Sequence, residues 1–62
     1  MGLQDDKLYA EQQVSKELGC AVKTLQAWRW RGGGPIFMKI GRLVRYRGDD
    51  VKAWIQSQRK KS

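Results

Sequence analysis

The fold is decided by residues 28–47, WRWRGGGPIFMKIGRLVRYR, in which a Gly-Gly-Gly-Pro break divides a helical half of the chain from an extended half. After the break, residues 37–40 and 43–46 are apolar and aromatic runs interleaved with Lys39 and Arg45. Such runs are typical of strands, and the two residues between them, Gly41 and Arg42, suit a type II′ hairpin turn. The stretch therefore predicts a basic β-hairpin.

The residues before the break predict two short helices joined by a tight turn. Ala10, Val14 and Leu18 recur at helical spacing, and Gly19 suits the left-handed position that ends a helix. A second helix follows almost at once, with Leu25 at the centre of its apolar face. Its opposite face, which we expect to be free, carries Lys23, Gln26, Ala27 and Trp30.

A third helix is predicted after the hairpin. Gly48 or Asp49 is the candidate N-cap, and the carboxylates of Asp49 and Asp50 complement the positive end of a helix. Apolar residues recur at helical spacing in residues 51–58, and the helix's negative end is followed by Arg59, Lys60 and Lys61. The two carboxylates are therefore explained as helix caps rather than as a catalytic pair.

The size and composition of the chain exclude most catalytic chemistry. It has 62 residues, with no His and one Cys. A chain this short buries about 60% of the surface that its unfolded form exposes, which supports one small core and leaves no room for a deep cleft. Without His or a second Cys there is no internal disulfide, no Cys/His zinc cluster and no Ser/His or Cys/His dyad. We expect a single domain over residues 1–62, with residues 1–7 and 59–62 as frayed tails, and no enzymatic activity, cofactor or metal.

Hydropathy gives no indication of a membrane or export segment. The longest aliphatic or aromatic run is residues 36–38, which is far too short to span a bilayer, and the N-terminus has no signal-peptide pattern. We therefore expect a cytoplasmic protein, in which Cys20 is a buried thiol without chemistry.

The positive charge is concentrated in one segment. The whole chain has a net charge of +7. Residues 1–22 sum to −2 and residues 48–62 to +2, whereas residues 23–47 carry seven cations and no carboxylate, which is +7. An ordinary solvated surface mixes both signs, so this segment favours a surface that binds a polyanion, and nucleic acid is the leading partner.

Together these elements predict a small α+β fold, a winged helix-turn-helix made of two helices, a β-hairpin wing and a C-terminal helix. A helix fits the major groove of duplex DNA, which is about 12 Å wide, and an Arg-rich ribbon can follow the backbone or enter the adjacent minor groove. The second helix is the expected reader.

The sequence resembles a known family at this point. The RG-x-GP-x-F loop after Trp28, the KIGR-x-VRY hairpin of residues 39–46 and the residues at 50–55 are similar to those of excisionase and AlpA-type winged helix-turn-helix proteins, which are related to the DNA-binding head of MerR regulators. The likeness covers residues 8–58. Where the family usually has cap hydroxyls, this chain has Ala10 and Ala21, and each missing hydroxyl costs about 1 kcal/mol.

The resemblance implies which side chains meet DNA. It places Lys23, Thr24, Gln26 and Ala27 in the major groove, although solvated helix residues, or local backbone bonding by Thr24, are the alternatives. We extend the expected contacts to Arg29, Trp30 and Arg31 on the same helix. The wing contributes Lys39, Arg42, Arg45 and Arg47, for which the alternative is a solubilising role, and Arg42 at the tip is the candidate for minor-groove insertion.

The large aromatic residues divide into two groups. Trp28, Tyr46 and Trp54 are expected in the core, because a chain this small needs large apolar side chains. Trp30 lies on the polar face of its helix and either folds back on the Phe37 region or meets the DNA backbone.

The resemblance implies an excisionase, a recombination directionality factor of phage or integrative elements that binds repeated sites in double-stranded DNA, contacts neighbouring copies of itself, bends the duplex and assists an integrase. The sequence shows no dimerisation helix after the third helix, so specificity is expected from several copies side by side. An AlpA- or MerR-like transcription regulator is the alternative. A cationic membrane-surface peptide or an RNA-binding peptide is a third hypothesis, which the Gly-Pro loop and the hairpin disfavour.

Overall fold

The computed structural model describes residues 2–59 and confirms the winged helix-turn-helix. The elements, in chain order, are β1 (Leu8–Tyr9), α1 (Glu11–Leu18), α2 (Val22–Arg31), β2 (Met38–Ile40), β3 (Leu43–Arg47) and α3 (Gly48–Ser57). We call α2 the reading helix, and β2, β3 and their turn (residues 38–47) the wing. None of the described helices is both long and apolar enough to cross a membrane.

The turn between α1 and α2 has the predicted form. Gly19 ends α1 in the left-handed conformation, with φ of 70°, which a glycine adopts without steric penalty. Ala10 and Ala21 are the N-caps, and neither offers a side-chain hydrogen bond to its helix. Gln13 compensates in part, because its Oε1 accepts a hydrogen bond from the Ala10 amide at 2.9 Å.

The wing is an antiparallel hairpin in which Met38 faces Arg45, Lys39 faces Val44 and Ile40 faces Leu43. Gly41 has a φ of +61°, whereas no residue other than glycine has a positive φ in the described chain. A positive φ at the first of the two loop positions alone is the pattern of the predicted type II′ turn.

A third strand was not predicted from the sequence. β1 pairs antiparallel with β3, so the sheet has the order β1-β3-β2, with β3 in the middle. The strand is only two residues long, which is too short to produce a recognisable alternation of polar and apolar residues.

The expectation of a frayed tail over residues 1–7 needs correction for residues 2–7. Leu3 is only 5% exposed and belongs to the core. The carbonyl oxygens of Asp5 and Lys7 accept hydrogen bonds from the first amides of α3, Asp49 at 3.0 Å and Gly48 at 2.9 Å. These amides have no partner inside the helix, so the N-terminal segment caps α3 from a distant part of the chain. The same expectation for residue 1 and for residues 60–62 falls outside the described residues.

The N-cap of α3 lies one position before Gly48, the earlier of the two proposed N-caps. Arg47 is the N-cap, Gly48 is the first helical residue, and Asp49 and Asp50 lie in the first turn as expected. Gly48 is buried, and a Cβ there would lie 1.8 Å from the carbonyl oxygen of Gln4, so the close approach of the N-terminal segment requires glycine. Arg59 follows the helix, whereas Lys60 and Lys61 lie outside the described residues.

The core joins all the elements except β2. Its buried residues are Leu3, Tyr9, Val14, Leu25, Tyr46 and Val51. Trp28 and Trp54 are partly buried and pack against each other with ring centroids 5.1 Å apart, so α2 and α3 meet through an aromatic pair. This packing fixes the orientation of the reading helix relative to the rest of the domain.

Candidate nucleic-acid interface

The outward face of the reading helix carries the predicted contacts in one row. Lys23 and Trp30 are exposed at its two ends, and Gln26 and Ala27 are half-buried between them. Leu25, on the opposite side, is fully buried and anchors the helix to the core. Because successive helix residues are rotated by about 100°, Lys23, Ala27 and Trp30 lie on the side opposite Leu25, and burial of Leu25 turns them outward.

Among the large apolar residues that the structure describes, Trp30 is the most exposed, at 91%. This exposure overturns the alternative in which its indole folds back on the Phe37 region. Trp30 and Phe37 instead both line one open groove between α2 and the wing.

The wing distributes its cations over both faces and the tip. Lys39 faces Val44 across the hairpin, and both residues line the groove together with Trp30. Arg42 is exposed in the turn. Arg45 lies on the other face, where its Nη1 donates a hydrogen bond to the Val44 carbonyl at 2.8 Å. The wing therefore presents positive charge to a ligand approaching from the groove side and from the tip.

Arg29 has a position that the sequence did not indicate. Its Nη1 donates to Oε2 of Glu11 at 3.1 Å and to the hydroxyl of Tyr46 at 2.9 Å, and its guanidinium lies 5.7 Å from the centroid of the Phe37 ring. Burial opposes its charge, but the hydrogen bonds to Tyr46 and Glu11 and the attraction of the Glu11 carboxylate outweigh this, so the pKa of Arg29 is raised above its ordinary value. Its Nη1 therefore holds α1, α2 and β3 together, and a contact of the rest of the guanidinium with DNA stays a prediction.

Gln26 is oriented by the same carboxylate. Its Nε2 donates to the other Glu11 oxygen, Oε1, at 3.2 Å. A carboxylate only accepts hydrogen bonds, so the amide must turn its nitrogen toward Glu11. Sequence reasoning missed this role of Glu11, because a carboxylate in the first turn of a helix is explained locally by the helix dipole.

Arg47 also makes contacts within the fold. Its Nε lies 3.1 Å from Oδ1 of Asp49 and 3.4 Å from the Asp5 carbonyl, so its side chain joins the N-terminal segment to α3, and its contact with DNA stays a prediction. The remaining cations of residues 23–47 have no carboxylate within 4.0 Å in the part of the chain that the structure describes; these are Lys23, Arg31, Lys39, Arg42 and Arg45.

The face of the wing that points away from the groove is apolar. Met38, Ile40 and Leu43 are all exposed there, and the register places them on the same side of the hairpin as Arg45. Sequence alternation predicted the hairpin but not which face would be left uncovered.

The sequence matches a known protein family. A family model described as a helix-turn-helix domain matches residues 8–59, which covers everything from β1 to the end of α3. No curated protein matches the chain.

Proposed function

Because the chain belongs to this helix-turn-helix family and is a DNA-binding domain, we propose that it recognises a specific duplex sequence, loads cooperatively on repeated sites and bends the DNA. The observation that carries the proposal is that the outward face of the reading helix lies near cations that have no carboxylate within 4.0 Å among the described residues. Positive groups without nearby carboxylates are suited to replace the counterions of a phosphate backbone.

We assign base recognition to the reading helix. Gln26 can bond adenine in the major groove, Lys23 can reach guanine or a phosphate, and the Ala27 methyl can touch a thymine methyl. Thr24, which is partly buried, supports the start of this row. Because Glu11 fixes the Gln26 amide, the reader is ordered before DNA arrives.

We assign backbone and minor-groove contacts to the wing. Lys39 lines the groove, Arg31 is exposed at the end of α2, and Arg42 is exposed in the turn, where a narrow minor groove would attract its guanidinium. Contacts on both sides of a phosphate strand favour a duplex that curves toward the protein.

The finer role that we propose is that of an excisionase, which assists an integrase by shaping an attachment site. Its support is the resemblance of the loop and hairpin to that class, together with the small reach of one reading helix, which covers few base pairs. Useful specificity then requires several copies side by side, and the exposed apolar side chains of Met38, Ile40 and Leu43 offer a surface for contact between neighbours.

The test is a nuclease footprint on genomic DNA fragments at increasing protein concentration. We expect adjacent protected repeats that fill together, with a coupling of about 1–3 kcal/mol per neighbour. The matched variant is Leu43→Ser, which should retain single-site protection and lose the coupling. Repeats at an attachment site support the excisionase role; one isolated site at a promoter supports the AlpA- or MerR-like regulator; no sequence preference contradicts the proposal.

A further inference from the structure

The groove between the end of α2 and the wing has an unusual composition. It is lined by Arg29, Trp30, Phe37, Lys39 and Val44, and we call it the aromatic groove. Trp30 is 91% exposed and Phe37 is 39% exposed, so two aromatic rings open to solvent beside a free cation. Aromatic side chains bury about 150–250 Å² each when they pack in a core. Trp30 contributes little of this stabilising burial, because its side chain is exposed.

The fold does not require an exposed indole at this position. The packing between α2 and α3 is made by Trp28 and Trp54, and the apolar face of α2 is anchored by Leu25. The Phe37 ring already has Arg29 and Tyr46 as neighbours, at centroid distances of 5.7 and 6.4 Å. Trp30 is thus a large apolar surface that is placed on the DNA-facing row and left without an internal partner among the described residues.

The surroundings of Trp30 identify the chemistry of its partner. Arg31 and Lys39 beside it have no carboxylate within 4.0 Å in residues 2–59. Cations suit phosphates, and an indole face suits a nucleobase, because every base has a π-face that can stack. An apolar protein surface would leave these cations desolvated and unpaired, so a nucleotide fits the groove better.

In an intact duplex both faces of each base are covered by its neighbours, so the indole could touch only sugar and phosphate. Resting on the proposed function, we propose that the aromatic groove binds an unpaired nucleotide of a DNA strand, with the base stacked on Trp30 and its phosphate next to Lys39. The domain then binds single-stranded or locally opened DNA in addition to the duplex.

The experiment compares three fluorescently labelled probes by anisotropy: oligothymidine of about 12 nucleotides, which is within the usual site size for such binding, an abasic strand of the same length, and a duplex. The wild-type protein should bind oligothymidine about tenfold more tightly than the abasic strand. Trp30→Ala should abolish this difference, and Trp30→Phe, which keeps a ring, should restore most of it. The matched control is Ile36→Ala, which removes another exposed apolar side chain, 68% exposed, from outside the aromatic groove and should change nothing.

The outcomes separate this inference from the proposed function. Equal losses on oligothymidine and on the abasic strand in Trp30→Ala would mean that the indole meets sugar and phosphate, and would overturn the stacking. Equal affinity of the wild type for both strands, with duplex binding intact, overturns the inference and leaves the proposed function standing. Loss of binding to every probe in the wild type contradicts both. Circular dichroism verifies that each variant is folded, as expected for an exposed position.

Discussion

Nη1 of Arg29 donates a hydrogen bond to the hydroxyl of Tyr46 at 2.9 Å, which ties the reading helix to the central strand of the sheet. Tyr46 is fully buried, so its hydroxyl has little access to water as an alternative partner. The bond therefore fixes the angle between the reading helix and the wing as well as contributing to the stability of the fold.

Replacement of this tyrosine measures that contribution. Tyr46→Phe keeps the ring and removes only the hydroxyl, and we expect the free energy of unfolding to fall by about 1–2 kcal/mol, because hydrogen bonds to charged groups are stronger than neutral ones. Urea unfolding followed by tryptophan fluorescence, in which Trp28 and Trp54 become exposed, gives the value. The control is Tyr9→Phe, whose hydroxyl accepts from the Gln4 amide at 2.8 Å and should weaken folding without weakening DNA binding. Unchanged DNA affinity in Tyr46→Phe would contradict its role in aligning the wing.

Gly48 tests the packing of the N-terminal segment. Gly48→Ala should destabilise the fold by about 1–3 kcal/mol, because the new methyl group meets the Gln4 carbonyl and overpacking outweighs the better helix propensity of alanine. Gly33→Ala is the matched control, since a Cβ at position 33 meets nothing within 4 Å and its φ is not positive. Equal stability of the two variants in thermal unfolding would show that residues 2–7 are not held against α3.

The local patterns predicted the helices, the hairpin and its turn, because each depends on residues close together in the chain. They could not predict the contacts of the N-terminal segment, since Leu3 lies in a polar stretch and Gly48 has no side chain to signal what packs on it. The site divides in the same way. The exposure of Trp30 and Lys23 follows from helical periodicity, whereas the pairing of Arg29 with Glu11 joins residues in separate helices and depends on how these helices pack.

Gln26 tests base recognition. The hydrogen bond to Glu11 leaves Oε1 of Gln26 free to accept from an adenine amino group. Gln26→Ala should relax the preference at one or two base pairs and lose about 1–3 kcal/mol of binding free energy, as measured by selection from a randomised duplex pool. Lys39→Ala should weaken all sequences alike. Identical base preferences for wild type and Gln26→Ala would remove Gln26 from the reader.

The unpaired cations predict a strong salt dependence. If the five cations without carboxylate partners each neutralise one phosphate, log K should fall with log salt at a slope of about −4 to −5. Arg31→Ala should make the slope shallower by about 1, whereas Arg47→Ala should leave it unchanged, because Asp49 already pairs with Arg47. A slope near zero, measured by fluorescence anisotropy on a duplex, contradicts the electrostatic interface.

The tip of the wing is the expected source of the bend. Arg42 is exposed in a two-residue turn and makes no core contact, so Arg42→Ala should leave the thermal unfolding temperature within about 1 °C of the wild type. Removing its guanidinium should reduce both the affinity and the DNA bend, because attraction of a cation into a narrow minor groove helps to offset the elastic cost of curvature. Circular-permutation gel shifts measure the bend. The matched control is Arg59→Ala, an exposed arginine beyond α3 that should leave the bend unchanged. If Arg42→Ala and the wild type bend the duplex equally, the wing tip does not shape the DNA; if neither bends it at saturation, the regulator role is favoured over the excisionase role.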